Sequence, residues 1–286
     1  MPSLIDIRRR IRSVKNTQQI TKAMKMVSAA KLRKAQERVI ASRPYARILE
    51  NILANVAAAA GSDDRVMAHP LLARREEKRV QLILVTADRG LAGAFNSNLI
   101  KGAQKFAGDR PGAAVSYELV GRKGRDFFKR READITGEHI GILNKVQLAD
   151  STAIAKSAAE RYASGKSDAV YLIYNEFKSV ASQKITLKKL LPITLPEQAA
   201  AADYIYEEPP AELLGGLLPR YVENAIFSAM LESVSSEHAA RMTAMDAAST
   251  NAAEVIEKLT LYMNRVRQAS ITKEIIEVVS GAAALE

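Results

Sequence analysis

Two segments at opposite ends of the chain carry the apolar period of a very long helix, and each stripe must be covered by something. The first runs from about Ser3 to Ala58. Its apolar positions are Ile7, Ile11 and Val14, then Ile20, Met24 and Val27, then Leu32, Ala35 and Val39, then Leu49, Leu53 and Val56. Ser3, with Asp6 three residues on, has the form of a capping box. The second runs from Ala211 to Ser280 through Ile226, Met230 and Val234, then Val255, Leu259, Met263 and Val266, and ends on Ile271, Ile275 and Val278. At ~1.5 Å per residue these are rods of about 80 Å and about 105 Å, longer than any compact globule built from the remainder. The simplest cover is mutual. Because the segment between them must return the chain, the two helices are expected to pair as an antiparallel coiled coil. Ala, Ser and Thr interrupt both stripes, so the seam should be slender. Pro44 is expected to kink or loosen the first helix, and Gly215, Gly216 and Pro219 to weaken the start of the second. Gly281 stands where a C-cap would fall.

The period changes between the rods. Val80–Ala87 is a short apolar run closed by the turn signal Asp88-Arg89-Gly90, as a buried strand would be. A helix is expected over Gly90–Ala107, a strand over Ala114–Gly121, a short helix from Arg125 and a third strand over Ile135–Ile142. A helix from Ser151, a strong strand over Asp168–Phe177 and a half-exposed strand over Ser182–Ile193 follow. Alternating strands and helices indicate a Rossmann-like α/β domain with a mostly parallel sheet. The expected organisation is therefore an N-terminal coiled-coil helix (1–58), a central α/β domain (78–192) and a C-terminal coiled-coil helix (210–286). Residues 61–77 and 195–210 read as linkers.

Charge is distributed unevenly. The net charge is +10, and residues 1–50 carry 13 Lys and Arg against Asp6, Glu37 and Glu50, so the whole excess lies on one helix. The chain has no Cys, which excludes disulfides, zinc-thiolate sites and thiol nucleophiles. No run approaches the ~20 apolar residues of a membrane-spanning helix. The basic start resembles a transit peptide in composition, but its period continues unbroken into the fold.

No catalytic constellation emerges. Asp88–Asn96 follows a strand and precedes a helix, where a phosphate loop would lie, yet its glycines are only Gly90 and Gly93 and the G-x-G-x-x-G spacing fails. Ser164–Ser167 has the end of a P-loop but precedes a strand, so it reads as a helix-to-strand turn. His69, His139 and His238 lack ligand spacing. The expectation is no catalytic residues, no cofactor and no metal. The basic helix leaves four readings: a solvated face, a nucleic-acid contact, a membrane-surface contact, or a rod against an acidic protein surface. No aromatic precedes Tyr45 to stack on bases, and no Trp or Phe anchors the apolar face.

Asn16–Gln36, Thr86–Asn96, Ser236–Ala252 and Asn264–Ala284 together resemble the gamma subunit of F-type ATP synthases, over essentially the whole chain. Ala92 and Ala94 replace the Cys and Gly usual in that family's post-strand motif. The resemblance implies a non-catalytic central-stalk rotor, whose coiled coil turns inside three alpha and three beta subunits. The α/β part would sit at its foot, against epsilon and the membrane c-ring. By matching position it implies that Lys22 and Met24 lie near the beta collar. Arg241, Arg267, Gln268, Thr272 and Glu277 would meet hexamer loops, and the terminal Gly281–Glu286 an apolar sleeve. It further implies a peripheral protein on the cytoplasmic face of a bacterial inner membrane, with no nucleic-acid partner. The rivals are a nucleotide-binding enzyme built on the α/β domain and a nucleic-acid-binding coiled coil.

Overall fold

The computed structural model describes residues 3–60, 69–180, 182–194 and 207–283. The chain divides into two compact units, residues 29–241 and residues 1–28 with 242–286. Both long helices, α1 (Leu4–Ala60) and the last helix, α5 (Pro210–Ala283), contribute to each.

The larger unit is built on a five-stranded sheet. Its elements are β1 (Arg79–Val85), α2 (Phe95–Gly108), β2 (Ala114–Val120), α3 (Arg122–Lys129), β3 (Ile135–His139), a 3-10 turn (Ile142–Lys145), α4 (Leu148–Ala163), β4 (Ala169–Phe177) and β5 (Gln183–Leu191). The strand order is β3-β2-β1-β4-β5, with only β5 antiparallel. β1 is central and buried from Val80 to Val85, which is why it reads as an unbroken apolar run.

Alternation along the strands sends side chains to two separate cores. Ile83, Val85, Val120, Val170 and Leu172 join Val39, Leu53 and Val56 of α1, Ile154 and Tyr162 of α4, and Leu218, Val222, Ile226 and Met230 of α5. Val80, Leu82, Leu84, Leu119 and Ile173 face Leu99, Ala103 and Phe106 of α2 and Phe128 of α3. Much of the two helical stripes is therefore covered by the sheet within this unit. Each fully buried Leu, Ile or Val there contributes roughly 1.5–3 kcal/mol.

Several local expectations change. The helix after β1 starts at Phe95, not Gly90, because Leu91 and Gly93 take positive φ of 62° and 55° and form a turn first. Residues 69–77 are packed rather than a free linker. Leu71 is buried and its carbonyl accepts from Ile193 N at 3.0 Å, while Arg75 Nη1 donates to Tyr162 O at 2.7 Å. Residues 61–68 and 195–206 of the expected linkers lie outside the described residues. α1 runs through Pro44 without interruption, and α5 continues past Gly281 to Ala283. Ser164–Ser167 is a turn as expected, with Gly165 at φ 70°. At the N-terminus of α1, Asp6 N donates to Ser3 Oγ and Ser3 N to Asp6 Oδ2, both at 3.2 Å, completing the capping box.

The smaller unit is a helix pair. Thr21 meets Ser249, and Lys25 meets Asp246, so the partner's number falls as that of α1 rises and the helices are antiparallel. Its seam is thin. The buried residues among those described are Ile7, Thr21, Ser28, Met245, Ser249 and Ala252, half of them hydroxyl-bearing.

Candidate functional site: a polar shaft and its root

Arg8, Arg12, Lys15 and Lys22 share one face of α1, and Arg9 and Arg10 carry the basic surface around to its other sides. Arg8, Arg9, Arg10, Arg12, Lys15 and Lys22 are exposed, Met24 is half-buried, and Lys25 Nζ sits 2.6 Å from Asp246 Oδ1. On α5, Arg267, Gln268, Thr272 and Glu277 are exposed. Thr272 Oγ1 donates back to Gln268 O at 3.0 Å, and Glu277 lies 3.4 Å from Lys273 Nζ. The carbonyl of Gln268 is thus engaged, while its amide and the Arg267 guanidinium face outward.

The end of α5 departs from expectation. Ile271 and Ile275 read as a continuing packed stripe, but they are 48% and 58% exposed, as are Ile276, Val278 and Val279 at 58% to 72%. The reason is length. In the register that sets Thr21 opposite Ser249, the first turn of α1 at Leu4 reaches only to about Val266. Beyond it α5 is apolar over one broad side. Residues 284–286 lie outside the described residues.

The middle of α5, from Ser233 to Arg241, lies at the carboxyl ends of β1 and β4, where a doubly wound sheet ordinarily takes its ligand. Here the chain fills that place itself. Ser236 Oγ donates to Asn175 O at 3.0 Å, and Ser233 Oγ lies 3.5 Å from Val85 O. Asp88 accepts from Arg122 N at 3.0 Å and from Gly141 N at 3.1 Å, so the first N–H of α3 already holds a carboxylate. Asn96 Oδ1 accepts from Ala87 N at 2.9 Å, and Thr86 Oγ1 from Gly124 N at 2.9 Å. The loop that resembles a phosphate cradle is an internal hydrogen-bonded joint.

Arg241 belongs to this joint rather than to an exposed helix face. It is 8% exposed. Its guanidinium lies 2.7 Å from Glu237 Oε1, 3.2 Å from Gly90 O and 3.3 Å from His238 Nδ1. Burial lifts the Glu237 carboxyl above its usual range, against the pull of Arg241. Burial, then Arg241 and Lys31, push His238 down to about 4, so its ring is neutral near pH 7. On another side of α5 Glu232 is raised by burial and by Glu176, and its Oε2 lacks a hydrogen-bond partner. Sequence reasoning missed Asp88, Glu237 and the seam hydroxyls. A Glu–Arg spacing of four on α5 was the available signal for Glu237.

The histidines sit apart. His69 Nδ1 accepts from Leu71 N, His139 Nε2 lies 2.8 Å from Glu118 Oε1, and His238 faces Arg241. Among the described residues no three His, Cys, Asp or Glu side chains are grouped as metal ligands. No helix of the described residues is long and apolar enough to cross a membrane.

Comparison with known proteins agrees with this architecture. Residues 3–285 match a family model described as ATP synthase. The chain is 65% identical to an ATP synthase gamma chain of Solibacter usitatus and 51% identical to one of Pelotomaculum thermopropionicum, in each case over the full length of both. Among solved structures it is similar to a chain of the central stalk and c-ring of Tetrahymena thermophila mitochondrial ATP synthase. That match has a TM-score of 0.60 at 25% identity and covers 80% of this chain and 99% of the other. A chain of Euglena gracilis mitochondrial ATP synthase has the same fold, with a TM-score of 0.69 at 21% identity over 99% of this chain and 94% of the other. With a full-length family match, full-length relatives and a sheet whose ligand position is closed by its own helix, the chain belongs to the ATP synthase gamma-chain family.

Proposed function

We propose that the chain is the non-catalytic central-stalk rotor of a proton-translocating F-type ATP synthase. It turns with the membrane c-ring and drives conformational change in a hexamer of three alpha and three beta subunits, with epsilon beside it at the foot. The observation that carries this reading is the end of α5: a single helix on which Ile271, Ile275, Ile276, Val278 and Val279 are all exposed over one broad side, with Lys273, Glu274 and Glu277 on the other. Such a tip is costly in water and suits a smooth apolar sleeve that grips without interlocking. Below it, the basic face of α1 suits acidic loops of a surrounding collar. The contacts assigned to the hexamer are Lys22 and Met24 on α1, and Arg267, Gln268, Thr272 and Glu277 on α5. Arg241 was expected among them, but its guanidinium is held internally. The chain would lie peripherally on the cytoplasmic face of a bacterial inner membrane, needing no cofactor and no nucleic acid.

The test is reconstitution. A complex lacking this chain, supplied with it, should regain proton pumping driven by ATP hydrolysis. A Cys replacing Lys22, cross-linked to a Cys on the beta collar, should stop turnover, and reduction should restore it. Full turnover with the cross-link in place would contradict the reading.

A further inference from the structure

Arg241 is the most deeply buried of the cations named on the two long helices, and its surroundings explain what holds the middle of α5. A buried ion pair stabilises little by itself, since desolvation offsets much of the attraction; its best-attested use is to select one geometry over near alternatives. The geometry selected here is a rotational setting. Glu237 and Arg241 lie one helical turn apart, and the pair is seated on the Gly90 carbonyl at 3.2 Å. Gly90 follows Asp88, which is bonded to the start of α3 and to the turn after β3. Five residues before Arg241, Ser236 binds the Asn175 carbonyl of β4. Apolar packing of Ile226, Met230 and Leu231 against the sheet resists separation but is non-directional. The hydrogen bonds to Gly90 and Asn175 are directional, and twisting α5 about its own axis breaks them.

We propose that the Glu237–Arg241 pair, seated on the Gly90 carbonyl, is the torsion joint of this chain, fixing α5 against rotation on the sheet so that the two turn as one body. The proposal rests on the rotor reading, and it makes Arg241 a positioning residue rather than a contact to the hexamer.

The test compares Arg241→Met, Arg241→Lys and the double variant Glu237→Leu/Arg241→Met in the assembled ATP synthase. Two quantities are read: amide hydrogen exchange over residues 88–96, and ATP-driven proton pumping relative to ATP hydrolysis. Arg241→Met should speed exchange in the loop about tenfold and lower the pumping ratio several-fold. The double variant should restore assembly and thermal stability, because the leftover buried carboxylate is gone, yet leave the pumping ratio low. Arg241→Lys, with one compact donor group, should fall between and keeps the test usable if Arg241→Met does not assemble. Unchanged loop exchange with lowered pumping would make Arg241 a direct hexamer contact and overturn the proposal. Faster exchange with normal pumping, or full pumping in the double variant, would also overturn it. Failure of the unaltered chain to support pumping would instead strike the rotor reading, leaving the exchange result to judge the joint.

Discussion

Replacing Thr21 by Val and Ser249 by Ala, singly and together, should reveal how the slender helix pair holds its register. The two hydroxyls are buried and lie 2.7 Å apart. Each also has a local carbonyl, Gln18 O at 3.0 Å for Thr21 and Met245 O at 2.8 Å for Ser249, so removing one does not orphan the other. Each single replacement should therefore cost only the net worth of a neutral hydrogen bond, about 0.5–1.5 kcal/mol, without the larger penalty of a stranded buried donor. The double replacement should cost about the same as either single one, giving a coupling energy near 1 kcal/mol. The nearby Lys25–Asp246 pair has both side chains substantially exposed, at 40% and 58%, and adds at most about 1 kcal/mol. Register should suffer more than stability, because a hydrophobic Val–Ala seam no longer distinguishes neighbouring alignments. The assays are urea unfolding of the full chain and disulfide formation between a Cys at position 25 and a Cys at 242, 246 or 250 in separate variants. In the double variant, cross-linking should spread from 246 to 242 and 250, one turn away. Strict additivity of the single losses, with a cross-link pattern as sharp as in the unaltered chain, would mean that the two hydroxyls act independently and do not set the register.

Other outcomes follow from the same geometry. His238 titrates at about 4 when folded, below its ordinary value of 6.5, so the unfolded chain binds its proton first as pH falls. Its contribution to stability is thus lost between about pH 6.5 and about pH 4, whereas the raised Glu237 carboxyl acts in the opposite sense above pH 4.5. Comparing denaturant unfolding of the unaltered chain and His238→Gln across this range isolates the first term, at most ~1.4 kcal/mol per pH unit. Gly121→Ala should abolish soluble folding, since φ is +93° and a Cβ would lie 2.0 Å from Thr86 O. Gly215→Ala, with open space around it in α5, should raise stability by about 0.5–1 kcal/mol in thermal melts. Arg267→Ala/Gln268→Ala should leave the melting temperature of the full chain unchanged and lower ATP synthesis and hydrolysis in the assembled complex.

Long periodic stretches were legible in the sequence because their signal accumulates over many turns. The two helices, the buried run of β1 and the half-exposed alternation of β5 all follow from spacing alone. What spacing does not carry is which cover each stretch of a stripe receives. Val39 and Ile226 meet the sheet, Thr21 and Ser249 meet each other, and Ile271 and Ile275 are left about half exposed. That division depends on register, which is set by contacts hundreds of residues apart. The loop at Asp88 was legible as a turn but not as a joint, since its partners Arg122, Gly141 and Arg241 are scattered along the chain. Arg241 read as one more exposed helix cation because its Glu237 partner looks like any solvated i,i+4 pair.

Rotation of this chain inside the hexamer can be watched directly. The chain contains no Cys, so Lys101→Cys on the exposed side of α2 gives this subunit a single attachment point. With the hexamer fixed to a surface through its alpha or beta subunits and a bead on that Cys, ATP should drive sustained rotation in one direction. Adding Lys22→Cys and cross-linking it to the beta collar should stop the rotation. Steady ATP hydrolysis beneath a bead that does not turn, with the chain present in the complex and no cross-link made, would contradict the account.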